Sequence, residues 1–414
     1  MVIHTIRCSV PQCFLLAGQK TFNTTTSLRE DVCYPTASYG TSTEQLNSGG
    51  RWQRFQRYIT SWRPLRIGAF GLVLVVAAFQ WRQRTQQENQ VAKKWEVTCY
   101  RMIPLRASSR AWGWLTNIQL PRIIRPWVYG LYADMFGCNI HEAEIEDLCW
   151  YPSLSDFFCR QLKDNVRPID PIHSIVSPAD GRVLNFGRVD GCHVDQVKGI
   201  KYSIPAFLGK PTWSRKSGSD KSGTEDSTND SYDPSNVDWT EYKKHILLNQ
   251  NTDLYQCVIY LAPGDYHRFH SPAEWSVNFR RHFQGDLLSV NPRIARWIPD
   301  LFSLNERAVY VGSWKHGFFS FGAVGATNVG NIRVLCDESL HTNMPKWPKG
   351  QPLQRDQFLG SPDKGVHCKK GDHFGEFRLG STIVLLFEAP KDFKFDLEKG
   401  QLIKMGCALS KLSK

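Results

Sequence analysis

Several patterns with well-understood chemistry are missing from this sequence. None of its 12 cysteines forms a Cys-x-x-Cys pair, which argues against a zinc site or a disulfide framework and favours thiols in a core. The glycines of 324–330 lack the Gly-x-Gly-x-x-Gly spacing of a dinucleotide-binding turn. No Gly-x-Ser-x-Gly elbow surrounds Ser381, unlike the nucleophile of α/β-hydrolases.

Acidic residues are scarce near the N-terminus. Residues 1–94 hold 12 Lys or Arg against 4 Asp or Glu, a net +8, whereas residues 95–414 hold 39 against 35, a net +4. This distribution argues against a nucleic-acid partner, which would require a basic patch on the folded domain. The first 50 residues are also rich in Ser and Thr, which is typical of an organellar transit peptide. We predict a transit peptide and basic linker over 1–62, with a merely disordered N-terminus as the alternative.

A full-length membrane span is not obvious either. The apolar stretch 67–79 has 13 residues, and a spanning helix needs about 20. Arginines flank the stretch on both sides and can extend their side chains towards the interface. A buried soluble helix is the poorer alternative, because nothing around residues 40–95 resembles a domain that could bury it. We therefore predict a single membrane-spanning segment over 63–84.

Residues 95–165 have the pattern of helices separated by breaks. Trp112, Trp114 and Trp127 are interspersed with arginines, a composition that suits a helix lying at a membrane interface. An amphipathic helix packed on the domain core explains the same pattern equally well. We predict a helical region here and leave both interpretations, membrane docking and core packing, open.

From residue 166 onward the pattern becomes strand-like. Short apolar or alternating segments are separated by Gly, Pro, Asp or Asn, which is typical of a mainly antiparallel sheet. The predicted strands are 182–190, 255–261, 275–282, 308–312, 318–326, 331–336 and 382–388. The polar stretch 214–238 predicts a disordered insertion. The predicted fold class is α+β: a mainly antiparallel β domain over 166–414, preceded by N-terminal helices and a single membrane-spanning segment.

Three groups of residues are candidates for chemistry. Asp180 in Ser177-Pro-Ala-Asp-Gly most simply marks a turn, but its carboxylate could also orient a histidine. His267 and His270 follow an apolar strand in a loop bounded by Pro and Gly, where imidazoles suit acid–base work near neutral pH. The glycine-spaced segment 314–330, which includes His316, allows close approach of the backbone to a ligand. Glycines at bends of a curved sheet explain that segment equally well.

The peptide Leu379-Gly-Ser-Thr382 lies where the polar, turn-rich stretch 371–378 gives way to an apolar strand. A Gly-Ser pair at such a bend is usually only a turn. Asp180, His270 and Ser381 together supply an acid, a base and a nucleophile, a combination recognised by geometry rather than by chain order. Gly380 before the serine indicates that the target is the chain's own peptide bond. The alternative is a membrane-tethered serine hydrolase that uses the same three residues on an external substrate.

Several ordered motifs make the chain resemble the phosphatidylserine decarboxylase proenzymes of the mitochondrial type. The resemblance runs from about Asp156 to Ala408. It rests on Phe158-Cys-Arg-Gln-Leu-Lys163 with Arg167-Pro168, Ser177-Pro-Ala-Asp-Gly181, Ala262-Pro-Gly-Asp-Tyr-His-Arg-Phe-His270, Asn291-Pro292, Val324-Gly-Ala-Thr-Asn-Val-Gly330 and Leu379-Gly-Ser-Thr382.

This resemblance implies a self-processing enzyme with its catalytic domain over 166–414. Ser381, activated by His270 with Asp180 orienting it, attacks the carbonyl of Gly380, and β-elimination then breaks the chain. Residues up to 380 form a β chain and residues 381–414 an α chain, and the two stay associated. Ser381 becomes a covalent pyruvoyl group, which forms a Schiff base with the serine amine of phosphatidylserine and serves as an electron sink. His267 is the implied proton donor after CO2 leaves.

The implied product is phosphatidylethanolamine, and no separate cofactor or metal is implied. The partner is phosphatidylserine in the membrane, with no nucleic acid, and a homo-oligomer is left open. The resemblance also implies a mitochondrial inner-membrane protein that crosses the membrane once and has its catalytic domain in the intermembrane space.

Overall fold

The computed structural model describes residues 91–197, 199–214, 232–327, 331–345, 354–360, 365–378 and 381–411. The predicted transit peptide, linker and membrane-spanning segment 63–84 lie outside this part of the chain. Within it, none of the helices combines the length and the apolar character that crossing a membrane requires.

Helices form most of the segment before residue 160, as the sequence predicted. They are α1 (Lys94–Met102), α2 (Leu105–Thr116), α3 (Arg125–Phe136) and α4 (Leu154–Phe158). Proline in the first turn starts α3, and Gly137 ends it with a φ of 70°, a left-handed conformation that glycine adopts without a steric penalty. Four short helices follow later: α5 (Ile204–Leu208), α6 (Trp239–Ile246), α7 (Pro292–Ala295) and α8 (Leu301–Leu304).

Fourteen strands are present in the described residues. They are β1 (Gly181–Arg188), β2 (His193–Val197), β3 (Ile200–Ser203), β4 (Thr252–Leu261), β5 (Arg268–His270), β6 (Trp275–Phe283), β7 (Arg307–Trp314), β8 (Gly317–Val324), β9 (Ile332–Val334), β10 (Gln354–Phe358), β11 (Val366–Cys368), β12 (His373–Phe377), β13 (Ser381–Pro390) and β14 (Leu402–Ile403). The main sheet has the order β10-β6-β7-β8-β13-β4-β1-β14, with β11 also paired to β6. A three-stranded sheet has the order β5-β12-β9, and β2 pairs with β3.

Strand β13 occupies the middle of the main sheet. It pairs antiparallel with β4 over ten residues and with β8 over six. Its alternate side chains enter two different cores: Val384 and Leu386 pack on one face, and Ile383, Leu385 and Phe387 on the other. This period of two is what a pleated strand buried on both faces requires.

The α+β class with a mainly antiparallel sheet is confirmed, and all seven predicted strands are present with shifted ends. Two local predictions are wrong. The stretch 371–378 is not a turn throughout, because it contains β12, which pairs with both β5 and β9. The predicted insertion 214–238 extends too far, because Pro234–Asn236 form a 3-10 turn and the Asp238 side chain caps α6. Residues 215–231 of that insertion lie outside the described part.

Candidate functional site

Ser381 is the first residue of β13 and pairs with Leu261, the last residue of β4. Its side chain is fully buried, and its Oγ has no hydrogen-bond partner among the described residues. A buried hydroxyl without a partner costs about 1–3 kcal/mol and calls for an explanation such as a catalytic role. Gly380 and Leu379 lie outside the described residues, so the predicted cleavage site is seen from its serine side.

His267 lies in the loop that begins where Ser381 pairs with β4. Its ring is fully buried, packs on Phe158 with the ring centroids 3.9 Å apart, and approaches the Asp265 carbonyl oxygen to 2.7 Å with Nδ1. Because a carbonyl can only accept, Nδ1 carries the proton and Nε2 carries a lone pair. That Nε2 has no partner within the described residues. Burial lowers the pKa of His267 to about 3, so the imidazole is neutral at physiological pH.

The loop is held against the helical region by two contacts. The Tyr132 hydroxyl of α3 donates to the Pro263 carbonyl oxygen at 2.9 Å. Gly264 lies so close to the last residue of α3 that a Cβ atom there would overlap the Phe136 carbonyl oxygen. Helix α3 therefore fixes the loop that carries His267, and glycine is required at 264 for this approach.

His270 ends β5 and makes its hydrogen bonds with groups other than Asp180. Its Nδ1 donates to the Gly371 carbonyl oxygen at 2.9 Å, and its Nε2 lies 3.1 Å from the Tyr266 hydroxyl, which therefore donates to it. The ring also stacks on His373, with centroids 5.3 Å apart. Burial lowers the pKa of His270, and the Asp180 carboxylate acts in the opposite direction through its charge.

Asp180 is buried directly before β1, and its carboxylate is fully engaged. Arg167 donates to it from Nε at 2.9 Å and from Nη2 at 2.6 Å. Lys404 Nζ lies 3.1 Å away, and the Met405 N–H donates at 2.9 Å. Burial would raise the pKa of Asp180, but the hydrogen bonds from Arg167 and Met405 outweigh it and hold the pKa below its usual range. Asp180 is therefore a charged carboxylate in the folded chain.

The backbone nevertheless brings the predicted acid and base together. The His270 N–H donates to the Pro178 carbonyl oxygen at 2.7 Å, and the Gly406 N–H donates to the Ser177 carbonyl oxygen at 2.9 Å. The segment that carries Asp180 thus lies between β5 and the chain that follows β13. A direct hydrogen bond between Asp180 and His270, as in a hydrolase triad, is absent from the described contacts.

The glycine-spaced segment 314–330 contributes to the site at one end only. Val324, the last residue of β8, pairs with Thr382. His316 lies in the hairpin between β7 and β8 at the opposite end of the strand, with its ring packed on Trp314. Residues 328–330 lie outside the described part. Among the described residues, no three or more His, Cys, Asp or Glu side chains come together as metal ligands would.

Three residues of the candidate site were not predicted from the sequence. Tyr266 binds His270, His373 stacks on it, and Arg167 anchors Asp180. Tyr266 and Arg167 lie inside sequence motifs on which the family resemblance rests, and those motifs could have identified them as site residues. His373 gave none, because its position beside His270 results from the pairing of β5 with β12.

Comparison with known proteins identifies a family match and several related proteins. The phosphatidylserine decarboxylase family profile matches residues 154–411. The chain is 50% identical over 323 residues to the mitochondrial phosphatidylserine decarboxylase proenzyme of Pongo abelii, covering 78% of this chain and 76% of that protein. It is 50% identical over 367 residues to that of Cricetulus griseus (89% and 83%). It is 38% identical over 406 residues to proenzyme 1 of Schizosaccharomyces pombe (84% and 91%). This chain therefore belongs to the phosphatidylserine decarboxylase family.

Proposed function

We propose that this chain is the precursor of a mitochondrial decarboxylase that converts phosphatidylserine to phosphatidylethanolamine and CO2. Family membership supports the reaction. The observation that carries it is a pair of buried polar atoms, Ser381 Oγ and His267 Nε2, that have no hydrogen-bond partner among the described residues, at the end of the sheet where β13 begins and β4 ends. Folded proteins satisfy nearly all buried polar groups, so each exception needs an explanation, and a catalytic role is one such explanation. The relatives are named as decarboxylase proenzymes and not as hydrolases, so they do not support the hydrolase alternative.

In the proposed maturation, Ser381 Oγ attacks the carbonyl carbon of Gly380, and the peptide becomes an ester. Elimination across the Cα–Cβ bond of residue 381 then removes the Cα proton, breaks the Cβ–Oγ bond and releases Gly380 as a carboxylate. The enamine left at residue 381 takes up water and loses ammonia, which gives the pyruvoyl group. His270 is the proposed base for the serine proton, because its neutral ring holds a lone pair at Nε2. Tyr266 occupies that lone pair in the uncut chain, so the hydroxyl must yield it or relay the proton. Asp180 acts through its charge, which favours the protonated ring.

The residues at position 381 fit the pyruvoyl group that this maturation would leave. Both side chains are fully buried, and neither Ser381 Oγ nor the neighbouring Thr382 Oγ1 has a hydrogen-bond partner among the described residues. When present, the group supplies an electron sink for the carbanion formed as CO2 leaves. His267 holds its ring fixed between Phe158 and the Asp265 carbonyl. We assign to its Nε2 the proton transfer to the carbon that has lost CO2: the lone pair that Nε2 carries in this structure first takes up a proton from water, and Nε2 then passes that proton to the carbon.

The two fragments should remain together after cutting. The α fragment would carry β13, which lies between β4 and β8 in the main sheet. It would also carry Met405, whose N–H donates to Asp180 of the β fragment. Loss of one covalent bond leaves the sixteen register pairs of β13 with its neighbours and its buried apolar side chains unchanged, and these dominate strand stability.

A membrane surface is the proposed docking site for α2 and α3. Trp127 of α3 is 73% exposed and Trp114 of α2 72%, and Ile123, in the turn before α3, is 92% exposed. Tryptophan side chains favour the membrane interface, and an exposed isoleucine adds apolar area there. Trp112 and Tyr132 of the same helices instead pack against the main core, so core packing describes that face, and membrane docking is proposed for the exposed face only. We further propose anchoring by the predicted segment 63–84 in the inner membrane, with the catalytic domain in the intermembrane space.

Intact mass of the purified protein tests the function. We expect two fragments, with the smaller beginning at residue 381 and blocked to Edman sequencing. Borohydride treatment in the presence of phosphatidylserine should add mass to the smaller fragment only. An uncut chain that releases CO2 from the lipid would contradict the proposal. An uncut chain that reacts with serine-directed phosphonates would instead support a hydrolase.

A further inference from the structure

An arginine-lined cavity of about 360 Å³ lies between the helical region and the three-stranded sheet. Its volume falls in the range of small-molecule sites. Ile145, Trp150 and Pro152 line one side, and Arg160, Arg268 and Arg378 line another. The lining also includes three carboxylates, Glu144, Asp156 and Glu376, so the cavity combines an apolar wall with charges of both signs.

Arg160 is the least compensated of these cations. It is only 4% exposed and makes no ion pair with any described carboxylate. Its guanidinium lies over the Phe157 ring, with its central carbon 5.2 Å from the ring centroid, and its buried Nε has no hydrogen-bond partner in the described chain. A buried charge without a counterion is unfavourable. The cavity is therefore suited to an anion that arrives from outside.

Arg378 offers a second donor, while Arg268 forms a fixed wall. The Nε of Arg378 is buried without a described partner, and its Nη2 is 3.6 Å from a Glu376 oxygen. Arg268 uses its Nε on the Cys159 carbonyl oxygen and its Nη1 on the Gln161 side chain. Two of these guanidinium groups thus keep donors available, and the third holds the cavity's shape.

The cavity adjoins the reacting end of β13. The Phe377 N–H, directly before Arg378, donates to the His267 carbonyl oxygen at 3.0 Å. Arg160 lies two residues after Phe158, the last residue of α4, and the Phe158 ring packs on the His267 ring. We propose that this cavity binds the phosphodiester of the substrate's head group, with Arg160 and Arg378 as donors. This inference rests on the proposed function and names how that site recognises its lipid.

The chemistry favours the phosphodiester over the other anion of the head group, the carboxylate. The carboxylate loses its charge as CO2 leaves, so an arginine on it would stabilise the substrate more than the transition state and slow the reaction. The phosphodiester keeps its charge throughout, and guanidinium groups match its geometry with paired donors.

Equilibrium binding to the full-length Ser381→Ala chain tests this without turnover. The probe is short-chain phosphatidylethanolamine below its micelle concentration, because it keeps the phosphodiester and lacks the carboxylate. Arg160→Gln in this background should weaken binding about 10- to 100-fold, as expected for losing charge-assisted hydrogen bonds. Arg160→Lys should fall between, because it keeps the charge but not the paired donors. Arg188→Gln, which removes a half-exposed cation on β1, is the matched control and should bind like its parent.

Three outcomes would overturn the inference. Arg160→Gln that binds phosphatidylethanolamine normally but short-chain phosphatidylserine weakly would mean that the arginine recognises the carboxylate. Unchanged affinity for both lipids would exclude the cavity. Inorganic phosphate that binds as tightly as the lipid would mean a free-anion site. Arg378→Gln, with a melting curve, repeats the test if Arg160→Gln fails to fold. Cutting and CO2 release by the wild-type chain are measured separately, so their failure would count against the proposed function alone.

Discussion

The two ends of β13 treat their buried polar groups in opposite ways. At the far end, the Glu388 carboxylate is fully buried and accepts hydrogen bonds from the Leu248, Asn249 and Phe318 N–H groups and from Thr252 Oγ1. At the near end, Ser381 Oγ and Thr382 Oγ1 are equally buried and have no described partner. The strand is thus anchored at one end and left chemically unsatisfied at the other.

This difference separates structure from chemistry within one element. The Glu388 end stabilises the sheet, and even Gly317 of the neighbouring hairpin is constrained by it, because a Cβ there would overlap the carboxylate. The Ser381 end gives up stabilisation and keeps hydroxyl groups without a described partner, and the loop that follows its pairing partner Leu261 carries the neutral His267. Substitutions at the two ends should therefore affect different observables.

The largest effect is expected at the unsatisfied end. Ser381→Ala should abolish cutting completely and leave one full-length chain, because the attacking hydroxyl is gone. Its melting temperature should not fall, since removing a buried hydroxyl without a partner is nearly neutral or stabilising. Intact mass and thermal unfolding measure the two results. Thr382→Val removes the neighbouring unsatisfied hydroxyl and should still be cut; two fragments from Ser381→Ala would contradict the assignment.

The two histidines should separate maturation from turnover. His270→Ala should remain uncut, because the proposed base for the serine proton is lost. His267→Ala should be cut but decarboxylate about 10²- to 10⁴-fold more slowly, the usual cost of losing a general acid. Fragment yield and CO2 release distinguish these outcomes. Normal cutting by His270→Ala would refute its role.

At the satisfied end, Glu388→Ala should lower the free energy of unfolding by about 3 kcal/mol or more, because several buried N–H groups lose their acceptor. Urea unfolding in the Ser381→Ala background measures this. Folded molecules of Glu388→Ala with an intact Ser381 should still be cut. A stable Glu388→Ala chain that cannot be cut would contradict this assignment, because Glu388 would then serve the cutting reaction and not the stability of the sheet.

Acid should destabilise the near end through its imidazoles. Burial lowers the pKa of His267 to about 3, below the usual value of about 6.5 in an unfolded chain. Its contribution to stability is complete above about pH 6.5 and is lost as the pH falls towards the folded pKa, at up to about 1.4 kcal/mol per unit. Urea unfolding of Ser381→Ala between pH 7 and 5 should show this slope, and His267→Gln should reduce it. Equal pH dependence of the unfolding free energy with and without His267→Gln would mean that His267 is not a neutral, buried side chain in the folded chain.

The smallest effect is expected for Tyr266→Phe. Its hydroxyl fixes the His270 ring through one hydrogen bond, worth about 1 kcal/mol, so cutting should slow about fivefold. A time course of fragment appearance measures this, with Tyr255→Phe as the matched control, because it removes a hydroxyl that donates to the Pro390 carbonyl oxygen at the far end of β13. Loss of all cutting would instead assign Tyr266 to the proton path itself.

Much of the fold could be predicted because its signals are local. The apolar runs of β4 and β13 and the turn residues around them identify the strands without knowledge of their partners. Strand β12 could not be predicted, because its five residues mix polar side chains and a glycine with two phenylalanines and form a strand only by pairing with β5 and β9.

The candidate site divides in the same way. Asp180, His267, His270 and Ser381 stood in recognisable motifs, and their segments do approach one another. The sequence could not show that the Asp180 carboxylate binds Arg167 and Met405, because those contacts join segments separated by up to 225 residues. The role of Asp180 is therefore electrostatic in this structure, where the motif predicted direct orientation of His270.

The central position of β13 makes maturation a test of folding. Ser381 meets the loop of His267 only after β13 has inserted between β4 and β8, so a misfolded chain would hold an ordinary serine. The reactive group would then form only in molecules that have completed their own sheet. The proposed self-cleavage would therefore act as a check on folding within the molecule itself.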